Sequence, residues 1–239
     1  MTTSPIPDPG TRKAAWDASY AAGDNYVFFP HEEVIRFAAK HLRKRTGLDS
    51  YQDRHELGRP PRVLDLGCGL GRHVKFCHEA GMEAYGIDLS GSAVALAHEW
   101  GARYGLPEPT ARIRQGDARQ LPWPDGFFDA CISHGTLDSM PFELARAVIG
   151  EMRRVLAPAA LFYLDLVSGD DSHHAREFAE DETVETAHEQ GTIQSYYNYQ
   201  RIQELIARHF SCVECTLIRR EDVIRGFFHA RYHVVLAPG

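Results

Sequence analysis

Hydrophobic positions along the chain come in short runs of four to eight, and most runs are followed by an amphipathic stretch. The runs near residues 62–66, 83–87, 111–115, 128–133 and 160–167 read as strands. The stretches near 71–80, 91–104 and 141–156 read as helices, and the second shows the period well, with Ala93, Leu96, Ala97, Trp100 and Tyr104 on one stripe. Strand–helix alternation of this kind predicts an α/β fold with a parallel sheet covered on both faces and right-handed crossovers. A further helix over 198–210 carries Ile202, Leu205, Ile206 and Phe210 on one side. Two strands then close the pattern, at 212–219 and 228–236. In the last, Ala230, Tyr232, Val234 and Leu236 alternate with His229, Arg231 and His233, and the pair reads as an antiparallel hairpin.

The ends of this pattern are less regular. Residues 1–12 are polar and proline-rich and read as disordered. Residues 13–30 carry Trp16, Tyr20, Tyr26, Phe28 and Phe29 around Gly23-Asp24-Asn25. Residues 31–45 read as a helix with Val34, Ile35, Ala38 and Leu42 inward, followed by a polar loop over 47–61. Residues 168–197 interrupt the alternation with Glu177, Glu180, Asp181, Glu182, Glu185 and Glu189 beside His173, His174 and His188. A long insertion after the fifth strand lies on the edge where open α/β sheets bind ligands. It is a lid or a surface loop, and its position favours the lid.

Composition narrows the function. The chain has 239 residues, 44% hydrophobic, and a net charge of −7 from 33 acidic and 26 basic residues. That balance disfavours nucleic acid as a partner, since such binders present a basic face. The one compact basic cluster, Arg43-Lys44-Arg45, falls at a predicted helix end, where cations complement the helix dipole. No run approaches the roughly 18 apolar residues of a membrane span, and the N-terminal residues lack a signal-peptide core, so a cytoplasmic protein with no membrane partner is expected. Five cysteines then read as reduced thiols. Cys212 and Cys215 sit three apart in a predicted strand, which places them on opposite faces and suits neither a disulfide nor a shared metal. Adjacent His173 and His174 in an acidic loop read as surface residues, so no metal site is expected.

The chemistry concentrates where strands end. Val63 to Leu66 runs into Gly67, Gly69 and Gly71, followed by Arg72 and His73 at the start of a helix. Glycines at such a corner allow a tight turn and close approach of a ligand to the backbone. The dinucleotide fingerprint G-x-G-x-x-G needs glycine where Arg72 stands, and a Lys-Ser/Thr pair is missing, so neither a nicotinamide site nor a phosphate loop is expected. Asp88 ends the second strand 21 residues after Gly67 and can accept hydrogen bonds from two ribose hydroxyls. Asp117 and Ala118 follow the third strand.

The run VLDLGCGLGRH, then YGIDLS, GDARQLPWPDGFFDACIS and RRVLAPAALFYLDL, resembles the class I S-adenosylmethionine-dependent methyltransferases, more narrowly their small-molecule, type 11-like group. The resemblance covers about residues 60–167. The family's Leu-x-Pro-Gly-Gly turn is Leu156-Ala157-Pro158-Ala159-Ala160 here, without its glycines. It implies a Rossmann-like, doubly wound, seven-stranded sheet, mostly parallel with an antiparallel last strand. It implies S-adenosylmethionine as cofactor and S-adenosylhomocysteine as product. Asp65, Gly67, Cys68, Gly69 and Gly71 would meet the methionine moiety. Asp88 would meet the ribose, Leu89 the adenine face, and Asp117 and Ala118 the adenine edge. Arg72 and His73 would face the cofactor carboxylate, the acceptor or solvent. Ser133 and His134 lie just past the fourth strand, beside the expected methyl position. His134 is the candidate general base, since histidine titrates near neutrality, with Asp138 behind it. Trp16 and Tyr20 would cover the bound cofactor, because aromatic faces suit a sulfonium.

This implies two parts: residues 1–60 as a covering segment with a helix, and residues 61–239 as the methyltransferase domain with a lid-like insertion at 168–197. The Asn/Asp-Pro-Pro-aromatic motif of nucleic-acid amino-methyltransferases is replaced by Ser133-His134-Gly135-Thr136. The expected function is methyl transfer to an oxygen or nitrogen of a small molecule. A protein acceptor and a non-catalytic binding module are the alternatives, and the pattern leaves the oligomeric state open.

Overall fold

The computed structural model describes residues 9–23, 25–186 and 189–239; residues 1–8, Asp24 and His188 from the segments read above lie outside them. The chain opens with α1 (Pro9–Ala22) and α2 (Glu32–Phe37), the latter continuing as a π-helical turn over Ala38–Leu42. A small antiparallel pair follows, β1 (Arg43–Arg45) with β2 (Tyr51–Asp53). The alternating part comprises β3 (Arg62–Leu66), α3 (Arg72–Glu79), β4 (Glu83–Asp88), α4 (Gly91–Arg103), α5 (Pro109–Arg112), β5 (Ile113–Gln115), β6 (Phe128–Ser133), α6 (Phe142–Val155) and β7 (Leu156–Val167). The insertion contributes β8 (Asp181–Thr183) and β9 (Ile193–Ser195). The chain then closes with α7 (Tyr199–Ile206), β10 (Phe210–Glu221) and β11 (Phe228–Pro238).

Seven strands form one sheet in the order β10-β11-β7-β6-β3-β4-β5. The pairs β3–β4, β3–β6, β4–β5 and β6–β7 are parallel, whereas β11 runs antiparallel to both β7 and β10. The chain thus winds outward one way from β3 through β4 and β5, then the other way through β6 and β7. The switch point lies between the carboxyl ends of β3 and β6, where a doubly wound sheet opens a crevice. Val63, Leu64 and Leu66 are fully enclosed, as a strand covered by helices on both faces requires. One face packs Leu64, Leu66 and Phe162 under α6 and α7; the other packs Val63, Ile132 and Tyr163 under α2 and α3.

Four expectations change. Residues 9–12 are the first turn of α1 rather than disordered chain. The basic cluster at 43–45 is strand β1, because the π-helical turn ends the helix at Leu42 and Arg43 adopts an extended backbone. The glycine-free 156–160 segment leads α6 straight into a longer β7. A β-bulge between Cys212 and Glu214 breaks strict alternation, so Cys212 opposes Leu236 and Cys215 opposes Val234, two partners on one face. Both thiols are free. Among the described residues no helix is long and apolar enough to cross a membrane.

Candidate active site

The loop after β3 is shaped by three left-handed glycines, Gly67 (φ 71°), Gly69 (φ 51°) and Gly71 (φ 83°). Gly67 N and Cys68 N both donate to Ile87 O, at 2.9 and 3.0 Å, which staples the loop to the end of β4. A Cβ at Gly67 would overlap Thr136 Oγ1, and one at Gly69 would overlap the Tyr20 hydroxyl. Asp88 sits under this loop. Its Oδ2 accepts from Gly69 N and its Oδ1 from Ser90 N, each at 2.8 Å. Burial pushes the Asp88 carboxyl up to about 6, outweighing the two N–H bonds that favour its charge.

A cavity of about 180 Å³ opens beside Asp88. Gly67, Leu89, Gly116, Asp117 and Ala118 line it from the strand ends, and Leu144 and Val148 of α6 give it an apolar wall. Helix α1 closes it with Arg12, Trp16 and Tyr20, and the insertion closes it with Gly191, Thr192 and Ile193. Asp117 accepts from Arg12 Nη2 at 3.1 Å and from Arg119 Nη2 at 2.8 Å. Burial would raise its pKa, but the bonds from Arg119 and the charge of Arg12 hold it below the usual carboxylate range.

A second, more polar cavity of about 260 Å³ shares Trp16, Tyr20, Gly67, Gly135 and Ser139 with the first, so the two form one cleft. Cys68, Gly69, Arg72, His73 and His134 line it, together with Asp138, Gln194 and Arg231. Behind it His31, His73, His134 and His233 lie close together, with ring centroids 4.3 Å apart for His31–His134 and 5.5 Å for His73–His134. Arg72 Nη2 lies 3.1 Å from His134 Nδ1. A guanidinium only donates, so Nδ1 carries the lone pair and Nε2 the proton; Nε2 lies 3.5 Å from Asp165 Oδ2 without a hydrogen bond to it. Burial pushes the His134 pKa down to about 2, the pull of Asp165 notwithstanding. The ring is therefore neutral, with its lone pair on Arg72. Arg231 bridges two buried carboxylates, with Nε 2.7 Å from Asp165 Oδ2 and Nη2 2.6 Å from Asp138 Oδ2.

The cleft gathers most of the expected residues from five separate chain segments. Asp65, Gly71 and Ser133 line neither part of it. Asp65 is buried beneath the loop with Oδ1 3.5 Å from His73 Nδ1, Ser133 is fully enclosed at the end of β6, and Gly71 faces a surface groove under Phe28 and Trp100. Tyr26 and Phe28 pack on Trp100 rather than on the cleft. Arg12, Thr136, Thr192, Gln194 and Arg231 were not singled out by sequence. Thr136 alone carried a signal, its place in the loop after β6. In the insertion, His174 pairs with Asp171 at 2.9 Å, and among the described residues no three His, Cys, Asp or Glu side chains are placed to hold a metal.

These observations fit S-adenosylmethionine: a loop whose Cβ positions are closed, an apolar slot beside a ribose-ready carboxylate, and a polar chamber beyond. Residues 63–159 match the family model of a methyltransferase domain. Norajmaline N-methyltransferase of Rauvolfia serpentina is 34% identical over 159 residues, 64% of this chain and 46% of that protein. Demethylmenaquinone methyltransferase of Thermus thermophilus is 37% identical over 102 residues, 41% of this chain and 44% of that protein. The matches thus span less than half the length of these curated relatives. A solved structure of Burkholderia thailandensis 1,6-didemethyltoxoflavin-N1-methyltransferase, with 1,6-didemethyltoxoflavin and S-adenosylhomocysteine bound, superposes with a TM-score of 0.65 at 19% identity, covering 99% of this chain and 93% of that one. The fold and site define a class I methyltransferase architecture. Residues 63–159 carry the match to a methyltransferase domain, and over its matched parts the chain is similar to S-adenosylmethionine-dependent methyltransferases.

Proposed function

We propose that this protein transfers a methyl group from S-adenosylmethionine to an oxygen or nitrogen of a small polar molecule. The observation that carries this reading is the continuous cleft: an apolar slot beside Asp88 and Asp117 opens at Gly67 and Gly135 into a polar chamber. In this reading Asp88 accepts from the ribose, turning from the loop amides it holds now. Leu89, Ala118 and Leu144 sandwich the adenine, and Asp117 takes its amino group. The Gly67–Gly69 backbone holds the methionine end, with Arg72 kept on His134. When bound, the cofactor supplies an activated methyl on a sulfonium, and the protein's part is chiefly positioning of the acceptor in line with it. Trp16 and Tyr20 of α1 and residues 191–193 of the insertion exclude water from above. His134 serves as a neutral wall of the acceptor chamber. The family likeness to N- and O-directed small-molecule enzymes and the small, enclosed chamber both favour a metabolite over a folded protein.

Calorimetric titration with S-adenosylhomocysteine tests the cofactor assignment. The wild-type chain is expected to bind in the micromolar range, and Asp88→Ala to weaken that at least tenfold, about 1.4 kcal/mol for a charged hydrogen-bond acceptor. NAD serves as the control and should give no heat. Absence of binding by folded, cofactor-free protein would overturn the reading.

A further inference from the structure

His134 spends its lone pair on Arg72, so it is not free to act as the base that a protic acceptor needs. Four residues further on, Asp138 lines the same chamber and is 1% exposed. Its Oδ2 accepts from Arg231 Nη2 at 2.6 Å and from Val167 N at 3.0 Å. Its Oδ1 has no hydrogen-bond partner among the described residues. A buried carboxylate oxygen without a donor is costly and asks for one. The residue is also held firmly, because its carbonyl accepts from Ser195 N at 2.7 Å and Gln194 Nε2 at 2.9 Å, both from the insertion.

We propose that Asp138 Oδ1 is the general base of the reaction, and that the acceptor is a neutral protic group such as a phenol, an enol or a ring N–H. The inference rests on the methyl-transfer reading. The acceptor's proton passes to Asp138 Oδ1 as its oxygen or nitrogen forms a bond to the methyl carbon. The carbon–sulfur bond breaks and its electron pair stays on sulfur, giving neutral S-adenosylhomocysteine. Arg231 holds Oδ2, which leaves Oδ1 as the oxygen without a donor. Asp165 cannot take this role: Gly135 N occupies its Oδ1, Arg231 Nε occupies its Oδ2, and it lines neither part of the cleft. A carboxylate acceptor has no proton to give and would face the Asp138 charge, so the chamber selects against it.

The groups around Asp138 are Arg231 from β11, Asp165 from β7, Tyr197 and Asp181 from the insertion side, and Arg72, His134 and Glu189 around the chamber. Burial raises the Asp138 carboxyl, Arg231 lowers it and Asp165 raises it again, to about 6. A base there is ionised at neutral pH yet strong enough to take a proton in the transition state.

The test compares wild type with Asp138→Asn, both saturated with S-adenosylhomocysteine or S-adenosylmethionine. S-adenosylhomocysteine affinity should stay within twofold, which separates this inference from the cofactor assignment. In carbon-13 spectra of Asp-labelled protein, one carboxyl signal absent from Asp138→Asn should titrate with a midpoint near 6 and shift when catechol is added. Catechol, 4-hydroxycoumarin and imidazole serve as protic probes and benzoate as the proton-free one. Any protic probe that wild type methylates should react at least 100-fold more slowly with Asp138→Asn, and the acidic limb of the wild-type rate profile should vanish. Should Asp138→Asn fail to fold, Asp138→Glu, which displaces the carboxylate, replaces it in each comparison. The inference is overturned by a variant rate within threefold of wild type, by preferred methylation of benzoate, or by an Asp138 signal that stays in one ionisation state from pH 4 to 8. If wild type methylates none of the probes, the titration and its response to catechol decide alone.

Discussion

Gly67 shows how a single position couples backbone strain to ligand access. Its φ of 71° costs an L-residue roughly 1–2 kcal/mol, and a Cβ there would also overlap Thr136 Oγ1. Gly67→Ala should therefore lower stability by at least that amount in urea titrations and weaken S-adenosylhomocysteine more than tenfold in calorimetry. Adding Thr136→Ala removes the overlap but not the strain, so the double variant should recover only part of both losses; full recovery would mean that strain plays no role. The placement of Asp88, Gly67 and Gly69 at the cleft was legible in the sequence, because it follows from strand ends and local spacing. Arg12, Gln194 and Arg231 were not, because each reaches the cleft from a segment whose local pattern carries no sign of a ligand. His134 lines the cleft where the sequence placed it, but its contact with Arg72, 62 residues away in the chain, carried no local signal.

At the scale of elements, α1 closes the cavity beside Asp88. Asp17 accepts from Ser90 Oγ at 2.6 Å and from Ser92 N at 3.2 Å, fixing α1 to the start of α4, while Arg12 reaches Asp117. Half-exposed contacts of this kind contribute about 0.5–1 kcal/mol each. The double variant Arg12→Ala/Asp17→Ala should thus lose hydrogen-exchange protection over residues 9–22 while the sheet keeps its own. Its dissociation of S-adenosylhomocysteine should be three- to tenfold faster by stopped flow. An unchanged exchange pattern would show that α1 is held by its apolar face alone, through Trp16 and Tyr20. The strands and helices of the alternating core lie within a few residues of their sequence expectation, because burial imposes periods of two and 3.6 that composition must obey. The departures have local causes: a π-helical turn ends α2's continuation at Leu42, and one bulge in β10 reverses the facing of Cys215.

Across the whole molecule, buried titratable groups around the cleft set the response to acid. His134 and His233 are held neutral by burial, with pKa values pushed down to about 2 and about 4. Groups whose pKa falls on folding stabilise the native state above their ordinary value near 6.5 and lose that contribution as pH drops. Asp88 and Asp138, raised to about 6, act in the opposite sense and regain stability as pH falls below 6, offsetting part of the loss. A difference measurement isolates the histidine. Between pH 7 and pH 5, wild type should lose about 2 kcal/mol more than His134→Gln in urea unfolding, from 1.5 pH units below the ordinary histidine value. Equal losses would mean that His134 takes up its proton in the folded state.

The sequence by itself determined the alternating core and the placing of the glycine loop and Asp88 at strand ends. These follow from periodicity and from the short connections that parallel strands permit, both local properties of the chain. Only the tertiary structure decided how the cleft is closed and charged. Helix α1, the insertion and β11 converge on the strand ends through contacts such as Arg12–Asp117, Gln194–Asp138 and Arg231–Asp138, which are 105, 56 and 93 residues apart in sequence. Whether Arg72 binds a histidine or a ligand, and which carboxylate keeps an open oxygen, depends on distances that no local pattern encodes.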